Sequence, residues 1–347
     1  MKNSSRSLAV WVVALVAPLA AGIVFYLVSD PFCVLHRHLY ASGHPVAIDR
    51  DYASTELYLE EQPAHDYDSL VFGNSRSEAF HCRDWVAAMG RPSARCFHFD
   101  AWKESLFGLD AKVRLVDQLG HHVHDVLMVI DGSLLAQLGP SDEPAFRSHP
   151  RLVGQGWLAF QSDYLVDFFS NHFVIKYLDY ALTGHVRGYM GPAFNARGFT
   201  YRQETNDVLY TAQDERIARQ GESYWQRPEV FGARTGGIAP LTVLEPQQRM
   251  LREIQASFAR HGARVRVVVS PLYDQIQLHP QDVATLRAIF GADAVADFSG
   301  KNQLTDDVHN YYEASHYRPV VARRILAAIY PPAAGAATKG AVVQVAK

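Results

Sequence analysis

The chain has 347 residues, 48% of them hydrophobic and 20% charged, and it is long enough to bury one large core or two smaller ones. Its 33 basic and 36 acidic residues leave a formal net charge of -3, and no long block carries one sign. This balance argues against a nucleic-acid partner, because proteins that bind nucleic acids carry a basic surface. No motif in the sequence indicates a cofactor.

The N-terminal segment is predicted to anchor the chain in a membrane. No charged residue occurs over the twenty-one positions from Leu8 to Val28, about the length that a helix needs to cross the hydrocarbon core. Lys2 and Arg6 precede this segment, so the positive-inside bias places the N-terminus in the cytoplasm and the rest of the chain in the periplasm. A cleaved signal peptide is the alternative, although its apolar region is normally shorter. We assign residues 1–30 to the anchor.

A single α/β domain is predicted over residues 66–330, after a polar linker at 31–65. Short apolar runs alternate with segments of helical spacing, which is typical of a doubly wound parallel sheet. We therefore expect a three-layer, flavodoxin-like fold with five strands. The predicted strands are 69–72, 95–99, 126–130, 265–269 and 294–298. The predicted helices are 77–89, 106–119, 245–261, 283–290 and one that begins at Pro319.

A large insertion interrupts this alternation at about residues 139–240. Its aromatic-rich part is similar in composition to a second membrane span, but Asp163, Asp167 and Lys176 interrupt it. We therefore expect amphipathic helices that pack on the domain, cover the cleft and are able to touch the bilayer. The tail at 331–347 has the composition of a disordered linker.

Ser75 stands where the first predicted strand gives way to a helix, in the stretch SLVFGNSRSEAF. Ligands of parallel sheets bind at the carboxyl ends of strands, and free N–H groups at a helix start stabilise negative charge. Gly73 allows the tight turn before it. Two interpretations remain open: Ser75 is an activated nucleophile, or Ser75 or Ser77 caps the helix with Glu78 as a partner. A phosphate-binding loop is a weaker alternative, because GNSRS lacks the G-K-[ST] ending.

The segment NYYEASHYRP supplies what a serine nucleophile needs, namely a base and a group that orients it. It follows the fifth predicted strand and so emerges at the same edge of the sheet. Glu313, three residues before His316, can reach one nitrogen of the imidazole and leave the other free. The two segments together indicate a Ser–His–Glu arrangement of Ser75, His316 and Glu313.

With VFGNSRS early, SHYRP late and five alternating strands between them, the chain resembles the SGNH (GDSL-like) hydrolase and acyltransferase superfamily. It is most similar to the membrane-anchored, extracytoplasmic branch that includes proteins of teichoic-acid D-alanylation and alginate O-acetylation. The resemblance implies Ser75 as nucleophile, His316 as general base and Glu313 in place of the usual aspartate. It also implies no cofactor, an envelope carbohydrate or acyl donor as ligand, and a membrane-bound acyltransferase as a candidate partner.

The oxyanion hole departs from the family pattern, in which a glycine and an asparagine in the second and third sequence blocks donate hydrogen bonds. This chain has DAWKES and DGSLL after the second and third strands. The candidate donors are the N–H of Ser75, the N–H of Gly132 or Ser133, and the side-chain amide of Asn74. Loss of one such donor lowers turnover about 10²- to 10³-fold.

Three further residues are candidates for substrate binding. Arg76 either holds an anionic group or pairs with a carboxylate such as Asp131. Asp131 in turn either faces the cleft or caps a loop. In the strand-end segment SPLYDQ, either Tyr273 or Asp274 is expected to line the pocket.

The cysteines and a histidine cluster have structural interpretations. Cys82 and Cys96 either form a disulfide or remain buried thiols. The HHVH segment at 121–124 lies in a turn at the amino edge of the sheet, so we expect no zinc site there.

The whole sequence predicts a serine esterase or O-acyltransferase acting on envelope polysaccharide. The alternative is a non-catalytic, SGNH-fold subunit of a machine that assembles or modifies such a polysaccharide.

Overall fold

The computed structural model describes residues 2–36, 44–194 and 198–331. The strands are β1 (Ser69–Gly73), β2 (Cys96–Asp100), β3 (Asp125–Ile130), β4 (Thr200–Arg202), β5 (Asp207–Leu209), β6 (Arg264–Val269), β7 (Val295–Asp297), β8 (Tyr311–Glu313) and β9 (His316–Tyr317). The helices are α1 (Lys2–Ser29), α2 (Arg50–His65), α3 (Cys82–Met89), α4 (Leu106–Gln118), α5 (Gly132–Ala136), α6 (Pro150–Val153), α7 (Trp157–Phe169), α8 (Phe173–Thr183), α9 (Thr211–Gln220), α10 (Glu245–Arg260), α11 (Pro280–Phe290), α12 (Gln303–Asp306) and α13 (Pro319–Ile329).

Five strands form one parallel sheet in the order β2-β1-β3-β6-β7, which confirms the predicted α/β class. The central strand β3 is buried at every position, as its continuous apolar run predicted. The strand order is consistent with a flavodoxin-like core and reverses between β1 and β3. Ligands of open parallel sheets bind at such a reversal, beyond the carboxyl ends of the strands.

Helices cover both faces of the sheet and complete three layers. On one face α2, α4, α10 and α11 pack on strand side chains such as Phe72 and Met128. On the other face α3 and α13 pack on Val71 and Leu127. Successive strand residues point to opposite faces, so the same strands supply both cores.

Helix α2 corrects the expectation of a linker at residues 31–65. Its Tyr58 lies in the main core and stacks on Phe99 of β2 with ring centroids 4.7 Å apart. Arg50, at the start of the helix, is fully buried and pairs with Asp100 of β2 at 2.5 Å. The polar composition was misleading because several charged side chains of this helix face buried partners rather than water.

The insertion forms α6 to α9 and the separate β4–β5 hairpin, outside the main sheet. Part of it is integral to the core, because Asn206 and Asp207 are fully buried against β2. The Nδ2 atom of Asn206 donates to the carbonyl oxygen of His98 at 2.5 Å. This hydrogen bond fixes the hairpin to the edge of the sheet.

The segment predicted as one helix at 77–89 is divided. A short 3₁₀ turn at Ser75–Ala79 precedes α3, and a disulfide between Cys82 and Cys96 joins α3 to β2. Of the two interpretations of these cysteines, a disulfide or buried thiols, the structure therefore contains the disulfide. The Cα atoms of the pair lie 5.6 Å apart, within the usual range.

Helix α1 includes the segment predicted to cross a membrane. Its C-terminal end packs on α7 and α8 through Tyr26. Across the part of the chain that the structure describes, no helix has both the length and the apolar character needed to span a bilayer. The side chains of residues 2–10, 12, 13 and 15 and the tail beyond residue 331 lie outside the described part, so the anchor and the disordered tail stay predictions.

Candidate active site

Strand β1 leads directly into the 3₁₀ turn Ser75–Ala79, which we call the serine turn. Gly73 passes so close to β3 that a Cβ atom there would lie 2.5 Å from a backbone carbonyl oxygen of that strand. Asn74 caps the turn, because its side-chain oxygen accepts from the N–H of Arg76 at 3.1 Å. The Ser75 hydroxyl is thereby held at the carboxyl edge of the sheet.

The structure brings Ser75, His316 and Glu313 together. The Oγ atom of Ser75 lies 2.7 Å from Nε2 of His316, and Nδ1 of the same ring contacts Oε1 of Glu313. An ionised carboxylate only accepts hydrogen bonds, so Nδ1 carries a proton and Nε2 is left to accept from the serine hydroxyl. The three groups have the connectivity of a serine-hydrolase triad.

The β8–β9 hairpin presents the histidine and the carboxylate. Glu313 ends β8 and His316 begins β9, and the N–H of Ser315 between them donates to Oε2 of Glu313 at 2.7 Å. Burial by itself would raise the pKa of Glu313, but the hydrogen bonds from His316 and Ser315 outweigh it and lower that pKa. The carboxylate is therefore ionised at neutral pH and stabilises a positive charge on the imidazole.

Aromatic rings support the histidine from the insertion side. The ring of Tyr210 lies 5.7 Å from that of His316 and stacks on Tyr312 with centroids 4.9 Å apart. The hydroxyl of Tyr312 donates to Asp214 of α9 at 2.8 Å. The position of the base is thus fixed by residues of the insertion as well as by its own hairpin.

The capping interpretation of Ser75 and Glu78 is wrong. Glu78 is buried and accepts hydrogen bonds from Trp102 Nε1 and Tyr210 OH, each at 2.7 Å, so it does not bond the start of the turn. Burial raises the pKa of Glu78 well above its usual range, and the nearby Asp100 carboxylate adds to the rise. Its two contacts fix aromatic side chains beside the serine.

Ser75 opens into a cleft of about 670 Å³. Loops at the carboxyl edge of the sheet form one wall, and the insertion forms the other. Lys103 pairs with Glu143 at 2.9 Å, and the cleft stays open beside it. Aromatic rings account for much of the lining: Trp102, Phe146, Phe199, Tyr210 and Tyr312.

The candidate oxyanion donors differ in their existing partners and in the cavity that they line. Ser75 begins the serine turn, and the first N–H groups of a helix have no partner within it. One of the two Nδ2 hydrogens of Asn74 is engaged, because Nδ2 donates to Oδ2 of Asp131 at 2.7 Å. Gly132 lines a second cavity, of about 470 Å³, that lies beyond Arg76. The N–H of Ser75 is therefore the donor that the geometry supports best, and the oxyanion roles expected of Asn74 and Gly132 stay predictions.

Arg76 pairs with Asp131, as one of its two interpretations predicted. Its Nη1 atom lies 2.9 Å from Oδ2 of Asp131, which also caps α5 by accepting from the N–H of Ser133 at 2.8 Å. Burial raises the pKa of Asp131, but Arg76 and the neighbouring donors outweigh burial and lower it overall.

Tyr273 does not line the cleft of Ser75. Its ring packs in the core of α3 and α13, and its hydroxyl donates to the carbonyl oxygen of Gly232 at 3.0 Å.

A second serine of the same turn has a histidine of its own. The hydroxyl of Ser77 donates to the carbonyl oxygen of Asn74 at 2.7 Å and lies 2.8 Å from Nε2 of His98. Because the hydroxyl has one proton, Nε2 of His98 is the donor in that contact. Nδ1 of His98 lies 3.8 Å from Oδ1 of Asp207, and the set Ser77, His98 and Asp207, which we call the buried relay, is inaccessible to solvent.

Sequence reasoning missed the buried relay, although one signal was present. His98 and Asp100 interrupt the strand segment CFHFD, which was predicted to lie inside a parallel sheet. Polar side chains in such a strand need buried partners. The charged partners could not be named in advance, because Asp207 comes from the insertion and Arg50 from α2.

The histidines of the HHVH segment lie at the opposite edge of the sheet. His121 contacts the hydroxyl of Tyr58 at 3.0 Å, and the rings of His122 and His124 stack 4.5 Å apart. Within the described ranges, no group of three or more His, Cys, Asp and Glu side chains could hold a metal ion.

A scan against protein-family models and a search of curated proteins found no match to this chain.

Proposed function

We propose that this protein is a serine esterase or O-acyltransferase that acts on acyl groups of envelope polysaccharide. The observation that carries the proposal is the pair of contacts from Ser75 to His316 and from His316 to Glu313. Ser75 and His316 are 241 positions apart, and they meet at the edge of the sheet where ligands of this fold class bind. Glu313 contacts the ring directly, and the other ring nitrogen is left to accept from the Ser75 hydroxyl in an open cleft.

In the first half-reaction, Ser75 Oγ attacks the acyl carbonyl carbon and its proton passes to Nε2 of His316. Glu313 holds the tautomer of the ring and stabilises the imidazolium. The N–H of Ser75 stabilises the oxyanion of the tetrahedral intermediate. When the intermediate collapses, the leaving alcohol takes the proton from His316 and the acyl group stays on Ser75. Water in an esterase, or a sugar hydroxyl in a transferase, then attacks the acyl-serine by the reverse proton path.

The cleft favours a neutral carbohydrate carrying a small acyl group, such as acetyl, over an anionic polymer. Aromatic faces provide apolar surfaces on which the C–H faces of a sugar ring can pack. The charge of Arg76 is balanced by Asp131 at 2.9 Å, so it is not left to attract a polyanion.

The disulfide supports an extracytoplasmic location. Disulfides persist in oxidising compartments such as the periplasm and are rare in the cytosol. An oxidised Cys82–Cys96 pair agrees with a chain exported behind an N-terminal anchor at residues 8–28. Envelope polysaccharide is the carbohydrate that such a chain would meet.

A non-catalytic binding subunit of an envelope polysaccharide machine is the second candidate. The hydrogen bond from Asn74 Nδ2 to Asp131 favours it, because it takes one of the two hydrogens that this amide could offer to the oxyanion. Each missing donor costs about 10²- to 10³-fold in turnover. A chain with this site would turn over slowly or would only bind.

The test is labelling of the full chain with a fluorophosphonate probe, which reacts with activated serines. Wild type and the matched control Ser77→Ala are expected to be labelled, and Ser75→Ala is not. Undiminished labelling of Ser75→Ala would contradict the proposal. A folded wild type that resists the probe would favour the binding subunit.

A further inference from the structure

Exposed apolar side chains are concentrated at one end of the molecule. Of the eighteen large hydrophobic residues that are exposed in the described part of the chain, fourteen lie on α1, α7, α8 or the turn after α8. Single exposed hydrophobic residues are ordinary, whereas a concentration of them marks an interaction surface.

The surface on α7 and α8, which we call the hairpin face, is uncharged. Every residue that is exposed on these two helices is apolar or a small hydroxyl residue, and Leu158 and Leu182 are 76% and 78% exposed. Both acidic residues of α7 are paired with the buried Arg147: Asp167 at 2.7 Å, and the more exposed Asp163 at 3.4 Å. By contrast, α10 presents charged side chains such as Arg252 and Glu253 to solvent. The exposed side chains of the hairpin face therefore differ in polarity from those of α10, a helix of this protein that faces water.

The course of α1 identifies what covers the hairpin face. Gly22 of α1 packs so closely on Phe169 of α7 that a Cβ atom at Gly22 would lie 2.8 Å from its ring. Before this contact α1 continues for twenty residues, and its Trp11 and Leu19 are exposed. The predicted anchor, the uncharged segment Leu8–Val28 of α1, would leave the domain beside α7 and enter hydrocarbon at the level of the hairpin.

We propose that the hairpin face rests on the lipid bilayer as a second membrane contact beside α1. Helices of 13 and 11 residues extend about 20 and 17 Å, too short to cross a hydrocarbon core of about 30 Å. Their apolar faces suit a position in the plane of the interface. Trp157 and Tyr189 are both exposed at its margins, where aromatic side chains favour the headgroup region.

This contact would hold the cleft close to the membrane. Phe146 lines the cleft, and the next residue, Arg147, is the one that bonds α7. An acyl donor delivered at the membrane surface would then reach Ser75 directly. That consequence rests on the proposed function, whereas the bilayer contact itself does not.

The test uses the full chain reconstituted into phosphatidylcholine vesicles. A fluorophore is attached through Leu158→Cys or Leu182→Cys, with Arg252→Cys on α10 as the control, and doxyl-labelled lipid serves as the quencher. The native cysteines do not compete, because Cys33 is buried and the other two form the disulfide. We expect several-fold stronger quenching at both hairpin positions than at the control.

Each other outcome contradicts the proposal. Equal, weak quenching at all three positions of vesicle-bound protein would overturn the hairpin contact and leave the α1 anchor in place. Protein that fails to associate with vesicles would overturn both. Energy transfer between labelled copies without lipid quenching would identify a second copy of the chain as the occupant. Activity is not part of the readout, so failure of the proposed function would not alter these results.

Discussion

Ser75 and Ser77 lie two residues apart in one turn, and each contacts the Nε2 atom of a histidine. At Ser75 the hydroxyl proton is directed at the ring nitrogen, in a cleft that a substrate can enter. At Ser77 the proton goes to the carbonyl oxygen of Asn74, and His98 is the donor. Both sets contain a serine, a histidine and a carboxylate, so residue types alone do not separate a nucleophile from a structural hydroxyl. What separates them is the direction of the hydroxyl proton and the access of a substrate to the cleft.

The carboxylates of the two sets also differ. Glu313 contacts the His316 ring directly, whereas Asp207 accepts from the N–H of Cys82 at 2.9 Å and lies beyond hydrogen-bond distance of its histidine. The buried relay thus ties β5 to the start of α3 and to β2 beneath the serine turn. Its arrangement fits a bracing role, and the Ser75 set fits proton transfer.

The largest difference in turnover is expected between two single variants, in which either Ser75 or Ser77 is replaced by alanine. Ser75→Ala should lower turnover of a small acetyl ester on the order of 10⁶-fold, as loss of a nucleophile does in serine hydrolases. Ser77→Ala should keep turnover within about tenfold but lower the free energy of unfolding by about 1 to 3 kcal/mol, because the N–H of a buried histidine loses its acceptor. Ester hydrolysis and urea unfolding of both variants measure this pair. Equal turnover in the two variants would contradict the assignment of Ser75.

Variants of the two carboxylates should also differ in turnover, but by a smaller factor than the two serine variants. Glu313→Gln should lower turnover by up to about 10⁴-fold, because the amide cannot stabilise the imidazolium and can favour the wrong tautomer. Asp207→Asn, the matched control, should affect turnover far less. Steady-state kinetics with the same ester measure both variants. If the two lose turnover equally, the buried relay takes part in the chemistry.

Much of the fold follows from patterns that are local in the sequence. Each of the five sheet strands lies within one residue of its predicted bounds, because an apolar run between turns is sufficient to define a buried strand. Ser75, His316 and Glu313 were found because two short segments, each following a strand, emerge at one edge of a parallel sheet.

Other features depend on contacts between distant residues and were not predictable in this way. Glu78 has the spacing of a capping partner, but Trp102 and Tyr210 draw it into the interior. Arg50 was placed in a linker because its buried partner, Asp100, lies on β2. In both cases a charged residue is buried by a partner that no local pattern reveals.

Removal of the disulfide should weaken the bracing region while sparing the chemistry. Cys82 and Cys96 are 14 positions apart, and a cross-link of that length contributes about 3 kcal/mol in the chain-entropy account. The double variant Cys82→Ala/Cys96→Ala should lose about this free energy of unfolding and keep its kcat at a temperature where it is folded. Reduced wild type is the matched control and should behave like the double variant. A fall in kcat with unchanged stability would mean that the disulfide positions the serine turn.

The smallest effect is expected from a fall in pH, which should change the contribution of Asp207 to the free energy of unfolding. Burial raises the pKa of Asp207, but His98 and the N–H of Cys82 outweigh burial and hold that pKa below its ordinary value. The unfolded chain therefore takes up this proton first on acidification, so the stability that Asp207 provides is present above its unfolded pKa of about 3.9 and is lost as the pH falls through the lower folded pKa. The difference in unfolding free energy between wild type and Asp207→Asn should be about 1 to 3 kcal/mol at pH 7 and should shrink below about pH 4. For Glu313→Gln, the difference should depend less on pH, because the Glu313 side chain is 38% exposed and solvent screens its contacts. Urea unfolding of the three proteins between pH 7 and pH 3 measures both differences, and a constant difference for Asp207→Asn would show that the buried carboxylate does not stabilise the fold through its charge.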